Sequence, residues 1–552
     1  MIEEFDYIIA GAGSAGCVLA HRLSQDAATT VLLLEYGGGD ASPFIQMPAA
    51  LSIPMNSPRY DWGFVSEPEP HLGNRRLHVP RGKVLGGSSS VNGMVYVRGH
   101  PQDFDGWAAM GAQGWAYADV LPYFRRAETF AGGSDEYRGG AGPLHTRRGD
   151  LQNPLYHAFI AAGIEAGYGA TADVNGFRQE GFGALDMTVH RGQRWSAANA
   201  YLKPVERRSN LEIRTRARVT QLLFDGRRAT GLAYKRGATT QQAKARREVI
   251  LAAGAINSPH LLKLSGIGPG AELRQHGIDV VHDLKGVGEN LQDHLEFYFQ
   301  VVCRQPISLF ASTGLFAKAM IGLRWLARRD GLGATNHFEA GGFIRSRSGV
   351  AYPDIQFHFL PLAISYDGKN LATQHGFQAH VGPMRSQSRG RITLQSRDPF
   401  AAPRINFNYM SHPQDWAEMR ACVRLTREIF SMTAFDTTRG AEIQPGSAVT
   451  ADADIDAFVR DKVETAYHPC GACRMGTTSN PAAVVDPQCR VIGIDALRVV
   501  DSSVMPQITN GNLNAPTIMI AEKASDHILG HPPLPRSAAA SWNAPDWQMR
   551  QR

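Results

Sequence analysis

The chain has 552 residues, which is more than one hydrophobic core usually supports, so we expect two lobes. Apolar residues make up 43% of the chain and charged residues 20%, as in an ordinary soluble globular protein. The formal net charge of +6 is small for this length, and the chain has no block of Lys or Arg, so we expect no nucleic-acid partner.

The N-terminal segment MIEEFDYIIA enters a strand pattern at once and lacks the basic start of a secretory signal peptide. The sequence contains no uninterrupted apolar run of about 18 residues, the length that indicates a membrane span. Six cysteines in a chain of this length do not suggest a disulfide framework. We therefore expect a cytoplasmic location. Peripheral contact with the cytoplasmic side of a membrane is an open alternative.

The chain opens with a strand, a glycine-rich turn, a helix and a second strand, which together form a βαβ unit. Gly11, Gly13 and Gly16 form a G-x-G-x-x-G pattern directly after the first strand, the context in which this pattern binds a dinucleotide. Ser14 lies in the same turn and is counted with the cofactor-binding residues. Glu35 ends the second strand, where a carboxylate binds ribose hydroxyls. The unit predicts a dinucleotide site but does not by itself separate NAD from FAD.

Segments of the same type recur near residues 250 and 500. Residues 211–252 are typical of strands joined by tight turns, whereas residues 300–464 mix strand and helix patterns. LRVVD then begins another strand–helix unit, in which Asp501 would meet the middle of a long extended cofactor. That placement, with a fingerprint at the extreme N-terminus, favours FAD.

These segments predict one discontinuous FAD-binding domain with a second domain inserted through it. The predicted FAD-binding domain comprises residues 1–155, 205–300 and 465–531, and the substrate-binding domain residues 156–204 and 301–464. Residues 532–552 lack periodicity, so we expect a loose C-terminal tail.

The segment GLFAKAMIGLRWLARR, within the second domain, has the pattern of a basic amphipathic helix. Two interpretations remain open for it. Such a helix can dock on a membrane surface, or it can be a buried helix of the substrate-binding domain.

Four segments resemble the signatures of the glucose–methanol–choline (GMC) oxidoreductase family. They are RGKVLGGSSSVNGMVYVRG (81–99), AAGAINSPHLLKLSG (252–266), YHPCGACRMG (467–476) and NGNLNAPTIMIAEKASD (510–526). The resemblance implies an α/β fold, with a Rossmann-like FAD-binding domain and an inserted α+β substrate-binding domain in which helices flank an antiparallel sheet. It runs from about residue 3 to about residue 530 and does not cover the tail.

The same resemblance implies where the cofactor lies. The adenine end would contact Val219 and Ala253, and the isoalloxazine ring would lie along Gly86, Gly87, Ser88, Asn92 and Gly93. Some relatives attach FAD through a histidine at a position that Val91 matches here. Valine cannot form that bond, so we expect non-covalent FAD.

For the chemistry, the resemblance implies hydride transfer to flavin N5 with His468 as the base. Histidine suits this role because its pKa lies near neutral pH. Asn512 matches the position that holds a second His or an Asn, and its amide can donate to the developing alkoxide. A slip of register would put Asn510 or Asn514 there instead. Cys470 and Cys473 form C-x-x-C, which we interpret as packing because further metal ligands are not evident.

Beyond the shared signatures, NHFEAGGFIRSR and GVGENLQDHLE resemble choline-oxidising members of the family. A quaternary ammonium is recognised by aromatic faces and a nearby carboxylate. By resemblance, Glu339 supplies the carboxylate, Trp62 and Tyr467 the aromatic wall, and His358 a further pocket residue. The expected reaction is oxidation of choline to betaine aldehyde, and on to glycine betaine if the aldehyde hydrate is oxidised in turn.

Three alternatives remain. The first is a member of the family that acts on an aliphatic, aryl or polyol substrate. The second is an oxidase that uses oxygen, whereas the resemblance favours a respiratory-chain or quinone-type electron acceptor. The third is a lyase or a non-catalytic flavoprotein on the same fold.

Overall fold

The computed structural model describes residues 2–364 and 373–552. Within them, a mainly parallel sheet joins the N-terminal βαβ unit to segments far along the chain. From edge to edge its strands are Leu211–Arg214, Val31–Leu34, Glu3–Ala10, Thr239–Leu251, Arg228–Arg236 and Ala217–Asp225, and Leu497–Val499 pairs with the end of Thr239–Leu251.

The parallel part of this sheet is built from apolar runs. Every residue of Val31–Leu34 is buried, as expected for a strand with parallel neighbours on both sides. Helices Ser14–Leu23 and Asn514–Leu529 pack against one another, and the former packs on the strands Glu3–Ala10 and Val31–Leu34. The first and last helices of the described chain therefore meet beside the glycine-rich turn.

A second sheet is antiparallel throughout and comes from the middle of the chain. Its strands, in order, are Arg439–Gln444, Leu295–Cys303, Gly376–Pro383, Ile355–Leu360, Ala340–Ile344 and Gly181–Ala184, and Glu464–Thr465 pairs with the start of Leu295–Cys303. Helices Pro154–Glu165 and Pro413–Ser431 cover it with a phenylalanine-rich core.

Shorter elements complete the described part of the chain. A small sheet contains Val95–Tyr96, Asp186–Met187, Leu144–Arg148 and Glu128–Phe130, and two-stranded pairs are Phe64–Val65 with His78–Val79, Val189–His190 with Gln193–Arg194, Ile267–Gly268 with His282–Asp283 and Arg391–Thr393 with Arg404–Asn406. The remaining α-helices are Pro43–Gln46, Ser52–Met55, Pro101–Ala109, Tyr117–Ala127, Gly254–Leu264, Gly270–Gln275, Leu315–Arg328 and Asp452–Lys462, with a π-helix at Ala198–Leu202.

The predicted fold class, a Rossmann-like sheet with an inserted α+β unit, is confirmed. The bounds of the two domains are not tested by the strand pairing and stay a prediction.

The prediction of a loose C-terminal tail is wrong. The tail has no helix or strand, but Arg345 donates to Arg550 O at 2.8 Å, and Gln551 donates to Arg345 O at 2.7 Å. The guanidinium of Arg178 lies 4.1 Å from the ring centre of Trp542. An aperiodic sequence hides such anchors, because each one depends on a partner that is distant in the chain.

The interpretation of GLFAKAMIGLRWLARR as a buried helix is also wrong. The helix Leu315–Arg328 lies on the surface, and Trp325 is its buried residue. Among the described residues, no helix has both the length and the apolar character that crossing a membrane requires.

Candidate active site

A continuous cavity brings together most of the residues predicted to form the site. Its wall includes Gly11, Gly13, Ser14, Glu35, Trp62, Gly87, Ser88, Asn92, Gly93, Val219, Ala253, His358, Tyr467, His468, Asp501 and Asn512. Three predicted residues, Gly16, Gly86 and Glu339, are not part of the wall.

Gly16 contributes through packing, as its place in the fingerprint predicts. A Cβ built on Gly16 would lie 1.8 Å from the carbonyl oxygen of Gly11, so only glycine allows the helix to approach the turn this closely. Gly13 is the residue before the helix Ser14–Leu23, and the first helical bond returns from Cys17 to its carbonyl. The N–H groups of the first turn therefore lack helical partners and can bind phosphate oxygens.

Glu35 lies at the end of the second strand and is held by the backbone. Its carboxylate accepts from Ala12 N at 3.0 Å and from Gly37 N at 2.7 Å. Burial raises the pKa of Glu35 to about 7, against the opposing effect of these N–H donors. The group faces the cavity beside the glycine-rich turn, the position in which a carboxyl can meet ribose hydroxyls.

The space in front of Gly13 fits a cofactor. A Cβ built on Gly13 would approach no protein atom outside its neighbours closer than 3.9 Å, and its backbone is extended. We expect Gly13→Ala to fold normally but to bind FAD about tenfold more weakly or worse, because the methyl group would occupy space that the pyrophosphate needs. The amount of FAD that the variant retains after gel filtration checks this prediction. Circular dichroism of the same sample shows whether the variant is folded.

The contrast is Gly16→Ala, which we expect to prevent folding because the added Cβ would meet the Gly11 carbonyl. A Gly13→Ala protein with full FAD content would contradict the placement of the cofactor against this turn.

Gly86 is a correction to the predicted flavin contacts. Its N–H donates to Ala12 O at 2.8 Å and its φ is +86°, so it links the LGGSS segment to the glycine-rich turn instead of lining the cavity. Gly87, Ser88, Asn92 and Gly93 do line the wall, and Arg194 donates to Asn92 Oδ1 at 2.9 Å. Val91 lies in this wall too and carries no nucleophilic atom.

Asp501 follows the strand Leu497–Val499, and its carboxylate connects that strand to the start of the helix Gly254–Leu264. It accepts from Gly254 N at 2.9 Å, from Ser258 Oγ at 2.5 Å and from Ser503 N at 2.8 Å. Its role toward the middle of the cofactor stays a prediction, although it lines the same cavity. Cys470 and Cys473 are both buried with free thiols, in keeping with packing.

His468 and Asn512 are in direct contact. Asn512 Nδ2 lies 3.1 Å from His468 Nε2. Asn512 Oδ1 is 3.3 Å from the amide nitrogen of Gln356 and 3.2 Å from His358 Nε2. Because Gln356 donates to the Asn512 oxygen, the amide nitrogen of Asn512 is turned toward His468. Of the three candidate asparagines, Asn512 is the one that contacts His468, while Asn510 donates to Pro353 O and Asn514 accepts from Ser14 Oγ.

His294, which the sequence analysis did not single out, orients the other side of the His468 ring. The two Nδ1 atoms are 3.1 Å apart, and His294 Nε2 is 3.0 Å from the carbonyl oxygen of Met384. A carbonyl only accepts, so His294 carries its proton on Nε2 and its Nδ1 accepts from His468. His468 then has its proton on Nδ1 and a lone pair on Nε2, facing Asn512. The residue lies within NLQDHLE, one of the segments that resemble the family.

The ring of His468 is held neutral. Burial, with smaller effects from His294, His358 and Arg81, lowers the pKa of His468 well below its usual value. Asp293 fixes the backbone by accepting from His468 N at 2.7 Å. A neutral histidine whose Nε2 is unprotonated is the form that a general base requires.

Glu339 is a correction to the predicted substrate contacts. Its carboxylate accepts from Leu151 N at 2.7 Å and from Thr335 Oγ1 at 2.6 Å, and it does not reach the cavity. Its neighbour Phe338 does line the cavity. The two neighbouring side chains therefore face different sides, and Glu339 is directed away from the cavity.

Of the carboxylates in the cavity wall, Glu296 is the one that comes from the antiparallel sheet. It lies on the strand Leu295–Cys303, two residues before Tyr298, and both side chains face the cavity. His380 Nδ1 is 2.9 Å from Glu296 Oε1, and Gln378 Nε2 is 2.8 Å from His380 Nε2. In the sequence, the alternation of side chains along LEFYF indicates that Glu296 and Tyr298 share a face of a strand. It does not show which face lines the cavity.

Aromatic rings surround this part of the cavity. Tyr298, Phe338 and Tyr467 line it together with Glu296. Trp62 lines it as well, but stacks on Phe64 at a centroid distance of 5.6 Å. The arrangement offers one carboxylate and several aromatic faces, the combination that binds a quaternary ammonium.

Comparisons with known proteins agree with this geometry. Models of the GMC oxidoreductase family match residues 5–296 (N-terminal domain) and 386–521 (C-terminal domain). An oxygen-dependent choline dehydrogenase of Brucella ovis is 60% identical over 549 residues, covering 100% of both chains. The crystal structure of pyridoxine 4-oxidase from Mesorbium loti is 31% identical, with a TM-score of 0.87 and coverage of 96% of this chain and 100% of that one. A variant of the Aspergillus oryzae formate oxidase, studied for FAD modification, is 27% identical with a TM-score of 0.88, covering 96% and 98%.

Proposed function

Since the chain belongs to the GMC oxidoreductase family, it is an FAD-dependent oxidoreductase acting on CH–OH groups, and we propose that its substrate is choline. The observation that carries the proposal is Glu296, which shares an aromatic-lined cavity with the His468–Asn512 pair. The product is betaine aldehyde, and oxidation of its hydrate gives glycine betaine. The 60% identity to the Brucella ovis protein, which is named as an oxygen-dependent choline dehydrogenase, supports the same substrate.

Each side chain has one task in this proposal. His468 Nε2 accepts the proton of the substrate hydroxyl, because its lone pair is fixed toward the cavity by His294. Asn512 Nδ2 donates to the same oxygen as negative charge develops on it. Glu296 and the aromatic rings hold the trimethylammonium group, which sets the distance between the hydroxyl and the base. Bound FAD would supply the acceptor for the hydride that leaves the substrate carbon.

We propose that FAD is bound non-covalently and that its electrons pass to a quinone-type acceptor. The valine at position 91 supports the first point, since its side chain cannot bond to the cofactor. The Brucella ovis relative is named as oxygen-dependent, which makes O₂ the competing acceptor. Reoxidation rates of the reduced enzyme with air and with a soluble quinone distinguish the two.

The experiment for the substrate is anaerobic addition of choline to the purified yellow holoenzyme. We expect the absorbance of oxidised flavin at about 450 nm to bleach rapidly. The uncharged analogue in which carbon replaces the quaternary nitrogen should bleach it only at much higher concentration. Bleaching by the analogue or by other alcohols at lower concentration than choline would overturn the choline assignment and keep the enzyme class. No bleaching by any alcohol would favour a lyase or a non-catalytic flavoprotein.

A further inference from the structure

One face of the antiparallel sheet carries a row of polar side chains that leads to the carboxylate of Glu296. Alternate residues of a strand share a face, and so do residues directly opposite on neighbouring antiparallel strands. Tyr298 is paired with His380, and two residues further along Gln300 is paired with Gln378. Glu296 comes two residues before Tyr298, so it lies on this face as well. The face is the one that meets the cavity, since Glu296, Tyr298 and His380 are all part of the cavity wall.

The amide of Gln378 has a defined orientation, because one of its partners is a backbone group. Gln378 Oε1 lies 2.8 Å from Ile364 N, and a backbone N–H only donates. Gln300 Nε2 donates to the same oxygen at 2.7 Å. The amide nitrogen of Gln378 is therefore on the opposite side, where it donates to His380 Nε2 at 2.8 Å.

This donor determines where His380 carries its proton. A ring nitrogen that accepts a hydrogen bond has a lone pair, so Nε2 of His380 is unprotonated. The proton of the neutral ring is then on Nδ1, which donates to Glu296 Oε1 at 2.9 Å. Two other arrangements conflict with the Gln378 donor. An imidazolium at His380 would direct an N–H at an N–H, and a protonated Glu296 that donates to Nδ1 would leave the ring proton on Nε2.

The ring of His380 is buried and is packed between aromatic side chains. Its centre lies 4.2 Å from that of Tyr298 and 5.3 Å from that of Phe338, whose ring is nearly perpendicular to it. These contacts restrict rotation of the imidazole. The N–H that reaches Glu296 therefore has a fixed direction, and it holds the carboxylate in one orientation.

We propose that Gln378 and His380 are positioning residues that keep Glu296 ionised and directed into the cavity. The inference rests on the proposed function, since it concerns how the same carboxylate binds the quaternary ammonium. A neutral N–H donor stabilises a carboxylate without cancelling its charge, so the whole negative charge remains available to the substrate. An imidazolium in the same place would form an ion pair with Glu296 and would compete with choline for it.

The first test measures the proton on His380 in the substrate-free holoenzyme. Histidine ring nitrogens are isotopically labelled and observed by long-range proton–nitrogen correlation, and the His380 signal is identified as the one that His380→Asn removes. At neutral pH we expect a neutral ring with its proton on Nδ1. In Gln378→Met, which has no amide to donate, the ring should also populate other protonation states. An imidazolium, or a proton on Nε2, in the unchanged enzyme would overturn the proposal.

The second test compares two replacements of His380 by rapid-mixing measurement of flavin reduction, which separates choline affinity from the limiting rate. His380→Leu removes the donor to Glu296 and should weaken choline binding about tenfold or more, because a hydrogen bond to a charged group is lost. His380→Asn keeps a neutral N–H near the position of Nδ1, so it should weaken binding by about threefold or less. The limiting rate should stay nearly unchanged in both variants, since neither replacement touches the contact between His468 and Asn512.

The control for general damage to the pocket is the uncharged analogue of choline, which offers no charge to Glu296. Its affinity should be the same in both His380 variants and in the unchanged enzyme. Equal loss of choline affinity in the two variants, or a loss that the analogue shares, would overturn the proposal. If choline does not bleach the unchanged enzyme, the choline assignment fails by itself, because the protonation of His380 is measured without substrate.

Discussion

Replacement of His468 by glutamine should slow reduction of the flavin by choline by about 10²–10⁴-fold, the usual contribution of a positioned base. Glutamine retains a polar side chain but has no lone pair on a nitrogen that can take up the hydroxyl proton. Asn512 and Glu296 stay in place in this variant, so choline should still bind. Rapid-mixing measurement of flavin reduction, with choline affinity taken from its concentration dependence, checks both parts.

The same base predicts how activity depends on pH. Protonated His468 cannot accept the substrate proton, so kcat/KM should fall as the pH drops through its pKa. Because burial lowers that pKa well below 6.5, the decline should begin below pH 6.5 and the neutral range should be a plateau. His527→Gln is the matched control, since this histidine lies on Asn514–Leu529 outside the cavity wall. A His468→Gln enzyme with nearly full activity, or an acidic decline centred above pH 7, would contradict the assignment.

Much of the fold follows from local pattern, because the features that define it are local. The N-terminal turn needs glycine at fixed positions, and the runs around it alternate between strand and helix over short distances. The order of the antiparallel sheet does not follow in this way. Ala184 pairs with Ala340, 156 positions further along the chain, and such a pairing depends on packing that no short segment specifies.

The candidate site was predictable where a residue belongs to a motif, as His468 and Asn512 do. A site residue was not predictable where its role depends on the direction of its side chain. A sequence pattern gives the period with which side chains alternate, but not which side faces the cavity. Glu339 and Glu296 illustrate this, since both carboxylates lie in apolar stretches and only one faces inward. The helix Leu315–Arg328 is a similar example, because its sequence pattern did not show that its apolar residues face the solvent. His294 acts through a contact with a residue 174 positions away, which leaves no local signature.

The second large effect that we expect distinguishes Glu296 from Glu339 as the carboxylate that binds choline. Glu296→Gln should weaken choline binding by about 30-fold or more, because it removes the charge that faces the quaternary ammonium in a desolvated cavity. Binding of the uncharged analogue should change little, since that analogue has no charge to lose. The ratio of the two dissociation constants, measured by anaerobic titration of flavin absorbance, isolates the electrostatic part from any general damage to the pocket.

Glu339→Gln is the matched control, with the same change of one atom and charge at a carboxylate directed away from the cavity. It should lower the free energy of unfolding by about 1 kcal/mol through its altered hydrogen bonds, and leave the ratio of choline to analogue affinity unchanged. If Glu339→Gln were the variant that lost choline selectively while Glu296→Gln kept it, the resemblance would have identified the ligand correctly. The bound state would then differ from this structure around residues 335–340. The expected result instead follows from strand geometry, because Glu296 and Tyr298 are two residues apart and must face the same side.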